Sequence, residues 1–273
     1  MAFQDILAHV RPYGSIEPVE VALRLGGRFD ARVTCLYALE DVARMRAILT
    51  ENSAPLQTLI ERDYAAAAEA ERRIRSLAER EGVDLAWSAY EGDAADLIAI
   101  VSRLQELVVV GKTEPGESWG VVEEIVTVPT GRPILVVPST GPFFDTGKSV
   151  LVAWNGSAQA ADAVMRGTPF LTGAERVVVL SGSEEREKLP PVTPRPEPDV
   201  MAYLKRHGIA AELRRTDVSG ADAGSAILDA ARDVSADLIV MGAFGRSRLR
   251  EWVLGGATRT VLDYMDVPVL MAH

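Results

Sequence analysis

The chain has 273 residues, 48% of them hydrophobic, 25% charged and 6% aromatic, with 29 Lys+Arg against 39 Asp+Glu and a formal charge of -10. That composition excludes collagen-like and disordered classes, and the length suggests two domains. The acidic balance lacks the basic footprint of a nucleic-acid binder, while one cysteine (Cys35) and three scattered histidines (His9, His207, His273) offer neither a disulfide framework nor zinc-ligand spacing.

In chain order, Met1-Ala-Phe-Gln-Asp-Ile-Leu7 has an early acid and no basic start, so it reads as the first strand of a mature protein and not as a signal peptide. The expected location is the cytoplasm. No apolar run approaches the roughly 18 residues of a membrane span. Ile6-Leu-Ala-His-Val10 reads as a strand before Arg11, followed by a helix-patterned stretch and a second strand, Arg32-Val-Thr-Cys-Leu36. A long, alanine-rich helix charged on one side is predicted from about Pro55 to Glu81. Glu106-Leu-Val-Val-Val-Gly111 and Gly131-Arg-Pro-Ile-Leu-Val-Val137 are buried strands.

The same plan then recurs. After a Gly-, Pro- and Ser-containing linker around 139–148, Val150-Leu-Val-Ala-Trp154 leads through Asn155 to another Ala-rich helix and the strand Arg176-Val-Val-Val-Leu180. Where the first copy has its long helix, the second has Pro190-Pro-Val-Thr-Pro-Arg-Pro-Glu-Pro198, an extended spacer, and a shorter helix to His207. Asp237-Leu-Ile-Val-Met-Gly242 and Val267-Pro-Val-Leu-Met271 close the repeat. Each copy reads strand, helix, strand, long segment, helix, strand, helix, strand. Continuous β-branched runs between helices indicate a parallel sheet covered on both faces, a doubly wound α/β fold.

Chemistry concentrates in Met241-Gly242-Ala-Phe-Gly245-Arg246-Ser-Arg248 and the following Trp252-Val-Leu-Gly255-Gly256-Ala257-Thr258, which leads from a buried strand into the helix of Arg259-Thr-Val-Leu262. Open α/β sheets bind ligands beyond the carboxyl ends of their strands, where glycines admit a phosphate and a helix start supplies N–H donors. Hydrogen bonds to a charged acceptor contribute on the order of 1.5–3 kcal/mol each, so two or three, with adenine burial, suffice for micromolar binding. Arg246 and Arg248 add positive charge. On spacing alone a second reading stands equally: Gly242 and Gly245 form a tight turn, Gly255 caps a helix, and nothing binds. Trp252-Val-Leu254 fits core or dimer contact better than ligand stacking.

The spacing Gly, two residues, Gly, nine residues, Gly resembles the nucleotide-binding signature of the universal stress protein (UspA-like) family. Val-Ala-Trp-Asn-Gly-Ser157 resembles that family's first strand and turn, and Gly131-Arg-Pro-Ile-Leu-Val-Val137 its last strand, so the resemblance spans the chain as two tandem copies. It implies two Rossmann-like (adenine nucleotide alpha hydrolase-like) domains, 1–139 and 147–273, each a five-stranded parallel sheet flanked by helices, forming an internal pseudo-dimer. It further implies an adenine nucleotide (ATP, ADP or AMP) held in the second domain by Ala153, Trp154, Asn155, Gly182, Met241, Gly242, Gly245, Arg246, Gly255, Gly256, Ala257 and Thr258. Two departures stand out. Gly256 replaces a small hydroxyl residue, whose loss Thr258 is expected to offset in part, and Asn155 replaces an acid, which disfavours tight magnesium binding.

The first copy has Arg11 at the acid's place, lacks the glycine spacing in Gly111-Lys-Thr-Glu-Pro-Gly116, and carries Glu114, Glu117, Glu123 and Glu124 where phosphate would sit. It is expected to be structural. Gly141-Pro-Phe-Phe-Asp-Thr-Gly147-Lys-Ser149 is a false P-loop, with five residues between its glycines and placement before a strand. Asp93, Asp96, Asp222 and Asp229 fit helix starts and faces better than paired acid–base catalysis. No enzyme activity is expected, and no catalytic or metal-ligating residue is assigned. The reading is a stress-response module binding adenine nucleotide, able to pair again into a homodimer and to meet protein partners of unknown identity, with no nucleic acid or membrane partner. The rivals are a nucleotide-free protein acting through protein contacts and a slow ATP hydrolase.

Overall fold

A computed structural model describes residues 2–12, 14–50, 53–112, 131–141, 143–182, 198–216, 223–243 and 256–272. The chain divides into two compact units, Ala2–Phe144 and Asp145–His273.

The first unit runs β1 (Asp5–Val10), α1 (Glu17–Phe29), β2 (Arg32–Ala38), α2 (Glu40–Arg46), α3 (Ala54–Glu81), β3 (Leu85–Tyr90), α4 (Ala94–Val101), a single 3-10 turn (Ser102–Leu104), β4 (Leu107–Gly111) and β5 (Ile134–Val137). All its strands are parallel, in the order β3-β2-β1-β4-β5. The second unit runs β6 (Ser149–Trp154), α5 (Ala158–Arg166), α6 (Thr168–Thr172), β7 (Arg176–Gly182), α7 (Val200–Arg206), β8 (Glu212–Thr216), α8 (Ala223–Asp233), β9 (Leu238–Gly242), α9 (Gly256–Tyr264) and β10 (Val269–Ala272). Its order, β8-β7-β6-β9-β10, repeats the first, again all parallel. Each unit is therefore the expected doubly wound α/β sheet of five strands.

The apolar runs become the central strands because both faces are covered. Leu107 to Val110, Leu238 to Val240 and Val269 to Met271 are all buried, and each such side chain contributes about 1.5–3 kcal/mol. The helices start and stop where local chemistry dictates. Asp93 accepts the Asp96 N–H (3.0 Å) to begin α4, and Asp199 accepts the Ala202 N–H (2.9 Å) to begin α7. Gly82 ends α3 in the left-handed conformation (φ +67°), which a side chain would resist. That helix matches the long helix read from the sequence. The residue-by-residue reading omitted one strand per copy, the edge strands β3 and β8. β8 is Glu-Leu-Arg-Arg-Thr, exposed along most of its length, and takes its extended form from the ladder of β7, whereas β3, Leu-Ala-Trp-Ser-Ala-Tyr, is a mostly apolar strand paired with β2. No helix among the described residues is long and apolar enough to cross a membrane.

In both units the strand order reverses beside the first strand, between β1 and β4 and between β6 and β9. The carboxyl ends of these pairs flank the crevice in which this architecture admits a ligand.

Candidate functional site

In the second unit, β6 ends in Asn155-Gly156-Ser157. The Asn155 Oδ1 accepts the Ser157 N–H at 3.1 Å, and the Ser157 Oγ accepts the Ala160 N–H at 3.1 Å. Gly156 sits at φ +76°. This tight turn allows α5 to begin within four residues of the strand, directing its first N–H groups toward the sheet's carboxyl end. Beside it, β9 ends in Gly242. A Cβ there would lie 2.6 Å from both the Ala160 nitrogen and the Gln159 carbonyl carbon, a clash with backbone that cannot move cheaply. The first glycine of the signature is thus required by the close passage of β9 past the start of α5. The chain continues through Ala243, whose N–H donates to the Ala272 carbonyl at 2.8 Å.

The register aligns the other residues expected in the site. Ala153 lies opposite both Leu180 and Met241, Trp154 lies opposite Ser181, and Gly182 follows on β7. Ala153, Trp154, Asn155, Gly182, Met241 and Gly242 therefore come together at the carboxyl ends of three adjacent strands. Met241 is buried, Ala153, Trp154 and Gly182 are partly open, and Asn155 is exposed. Among the described residues nothing lies within 4 Å of where a Cβ on Gly182 would sit. These six residues are uncharged, leaving backbone N–H groups and helix dipoles as the anion-attracting elements.

Gly256, Ala257 and Thr258 form the first turn of α9. Gly224 fixes that helix: its hypothetical Cβ would fall 2.5 Å from the Thr260 Cβ and 2.9 Å from the Ala257 carbonyl oxygen, so α8 and α9 pack at backbone distance. The sequence reading did not single out Gly224, because a lone glycine in a helical pattern carries no distinctive signal. Gly256 is exposed with nothing within 4 Å, whereas Thr258 is buried. Two residues along a helix turn through about 200°, so the Thr258 hydroxyl stands on the opposite side from Gly256 and does not replace the missing one. Gly245, Arg246 and Gly255 lie outside the described residues, as do Arg248 and Trp252.

The first unit treats the equivalent place differently. Arg11 follows β1 where Asn155 follows β6, and its Nη1 donates to the Lys112 carbonyl at 3.1 Å, bridging the ends of β1 and β4. A Cβ on Gly111 would meet the Pro18 Cγ at 3.1 Å and the Arg11 Cδ at 3.8 Å. In the first unit the Arg11 side chain thus crosses the switch point, whereas the described strand-end residues of the second unit are uncharged. His9, corresponding to Ala153, is buried, and neither ring nitrogen has a hydrogen-bond partner. Burial foremost, then the nearby Arg11 guanidinium, lowers its pKa from the ordinary 6.5 to about 4. Glu114, Glu117, Glu123 and Glu124 lie outside the described residues.

The apparent P-loop has a structural occupant. The Asp237 carboxylate accepts the N–H groups of Gly147 (2.7 Å), Lys148 (3.1 Å) and Ser149 (3.0 Å), so the donors that would cradle a phosphate are already taken. Desolvation is the leading influence on that carboxyl and raises its pKa, against the pull of those three bonds. Asp93 and Asp96 start a helix and Asp229 contacts Arg232, while Asp222 lies outside the described residues. His207 is exposed at the end of α7. Cys35 is buried, which pushes its thiol up to about 12 and leaves it inert. Among the described residues no group of three or more His, Cys, Asp or Glu side chains is placed to hold a metal ion.

Residues 147–273 match the family model described as the universal stress protein family. No curated protein matches the chain. Among solved structures, a universal stress protein from Archaeoglobus fulgidus DSM 4304 is 17% identical at a TM-score of 0.70, covering 98% of this chain and 97% of its own. A functionally unknown protein from Pseudomonas aeruginosa PAO1 is 15% identical at 0.64, covering 99% and 92%. A universal stress protein in complex with cAMP is 16% identical at 0.37, covering 51% and 100%. The first two likenesses establish that the whole chain shares the tandem α/β fold.

Proposed function

We propose that this chain, whose residues 147–273 form a universal stress protein domain, is a nucleotide-responsive binding module with one adenine-nucleotide site, located in that domain. The observation that carries the reading is the contrast at the two switch points. In the second unit the described strand-end residues, Ala153, Trp154, Asn155, Gly182, Met241 and Gly242, are all uncharged, with Gly242 drawn to backbone distance of α5. In the first unit the Arg11 side chain bridges the same ground. The adenine ring would lie over the ends of β6 and β7, near Ala153, Trp154 and Gly182. Its phosphates would extend toward Gly242 and the glycine-rich segment from Gly245 to Gly256, with Ala257 and Thr258 at the helix start and Arg246 as counter-charge.

Asn155 shapes the character of the site. Its side-chain oxygen serves the Ser157 N–H, and an amide brings no negative charge for a divalent cation, which prefers carboxylate oxygens. The account is therefore of binding rather than turnover: none of the six strand-end residues gathered there is a candidate general base. A cytoplasmic setting and pairing into a homodimer belong to the same proposal.

Freshly purified protein should release an adenine nucleotide on denaturation, identified by mass spectrometry. Emptied protein should rebind ATP, ADP or AMP near one per chain, and Gly245→Asp should abolish binding by placing an anion at the phosphates. No released ligand and no binding at millimolar nucleotide would replace this reading with a nucleotide-free module acting through protein contacts. Turnover with added magnesium above a denatured control would instead make it a slow ATP hydrolase.

A further inference from the structure

His9 has no role in the nucleotide reading, and its surroundings are unusual for an imidazole. It lies near the end of β1, in register with Leu36 on β2, and is 3% exposed, with no hydrogen-bond partner for either ring nitrogen among the described residues. A neutral imidazole buried without hydrogen bonds already bears a desolvation cost, and a protonated one buried beside a cation bears far more.

Among the described residues no carboxylate is paired with the ring. On α1, whose buried face is apolar, Glu17 is engaged by the Ser15 hydroxyl and Glu20 by Arg24. On α3, Asp63 is held by the Arg62 Nε at 2.8 Å. The group that acts electrostatically on the ring is Arg11, two residues along, with the sign that opposes protonation. Arg11 is itself tied to the Lys112 carbonyl. The second unit places Ala153 at the corresponding position and so provides an internal control.

We infer that His9 makes the first unit an acid-sensitive element, whose β1 region opens when the imidazole is protonated while the second unit stays closed. Folding holds His9 in its neutral form, so this contribution to stability is fully present above the unfolded pKa of 6.5 and is lost as pH falls toward the folded value of about 4. Between pH 7.5 and pH 5.5 the opening constant should rise about tenfold, the ratio the two pKa values give by linkage. The consequence is graded loosening of one half of the molecule under mild acid, independent of the nucleotide reading.

Hydrogen exchange of the full chain at pH 7.5 and 5.5, corrected for intrinsic exchange chemistry, tests this. Peptides covering β1 and β2 should gain about tenfold in opening, those covering β6 and β7 should not, and His9→Ala should abolish the difference. Equal acid response in both units, or a response that survives His9→Ala, would overturn the inference. Should that variant fail to fold, NMR titration of the wild-type ring protons decides. His9 should titrate below pH 5 or only on unfolding, whereas titration of His9 at or above 6.5 in the folded protein contradicts the inference.

Discussion

The two first-strand ends are built differently on the same architecture. After β6, Asn155-Gly156-Ser157 folds tightly onto the start of α5, and Gly242 passes that helix at backbone distance. After β1, the path to α1 is three residues longer, Pro18 packs over Gly111, and Arg11 reaches across to the Lys112 carbonyl. Strand order and direction are the same in both units, so the sheet does not account for the difference at the switch points. The described differences lie in the side chains and turns at the rim, which is why fold alone is a poor guide to binding on such a scaffold.

The contrast can be broken most severely at its closest contact. Gly242→Val puts side-chain atoms into the Gln159–Ala160 backbone, and urea unfolding should show a loss of about 3 kcal/mol, the upper end for overpacking, with nucleotide binding abolished. Gly111→Ala meets only the edge of the Pro18 ring and should cost about 1 kcal/mol or less; equal costs at the two glycines would contradict the asymmetry. Asp237→Ala leaves three N–H groups without their carboxylate and should destabilise the second unit by about 2 kcal/mol, seen as a lower urea midpoint. Ser157→Ala removes the α5 cap at a cost of about 1 kcal/mol, and Asp93→Ala should cost a similar amount at α4 in the first unit. Of these two, only the Ser157 change should weaken nucleotide binding, as read by titration calorimetry. Gly256→Ser should change the unfolding free energy by no more than about 0.5 kcal/mol, because among the described residues nothing lies within 4 Å of its Cβ position. It should tighten binding several-fold by restoring a hydroxyl donor at the helix start.

Much of this was legible in the residues. The repeat, the parallel buried strands and the long alanine-rich helix follow from apolar runs, glycine stops and helical periodicity, and the structure places them as read. The edge strands were not: β8 is largely charged and owes its extended form to the neighbouring β7, and β3, though mostly apolar, is interrupted by Ser88 and lacks the β-branched run of the central strands. For the site, the signature located Met241 and Gly242 at a strand end, but spacing could not separate a glycine needed for a phosphate from one needed for packing. The distances show packing to be sufficient reason for Gly242. Nor could the sequence show that Thr258 turns inward, or that Asp237 occupies the backbone donors of the look-alike loop, because both depend on which groups the fold brings together.

The most direct test of the central claim is to locate the nucleotide. Photolabelling the intact chain with 8-azido-ATP and mapping the modified peptides should give label at one equivalent per chain, confined to residues 147–273 and suppressed by unlabelled AMP or ATP. Label in Ala2–Phe144, two equivalents per chain, or none that competitor removes, would contradict a single site set by the open switch point of the second unit.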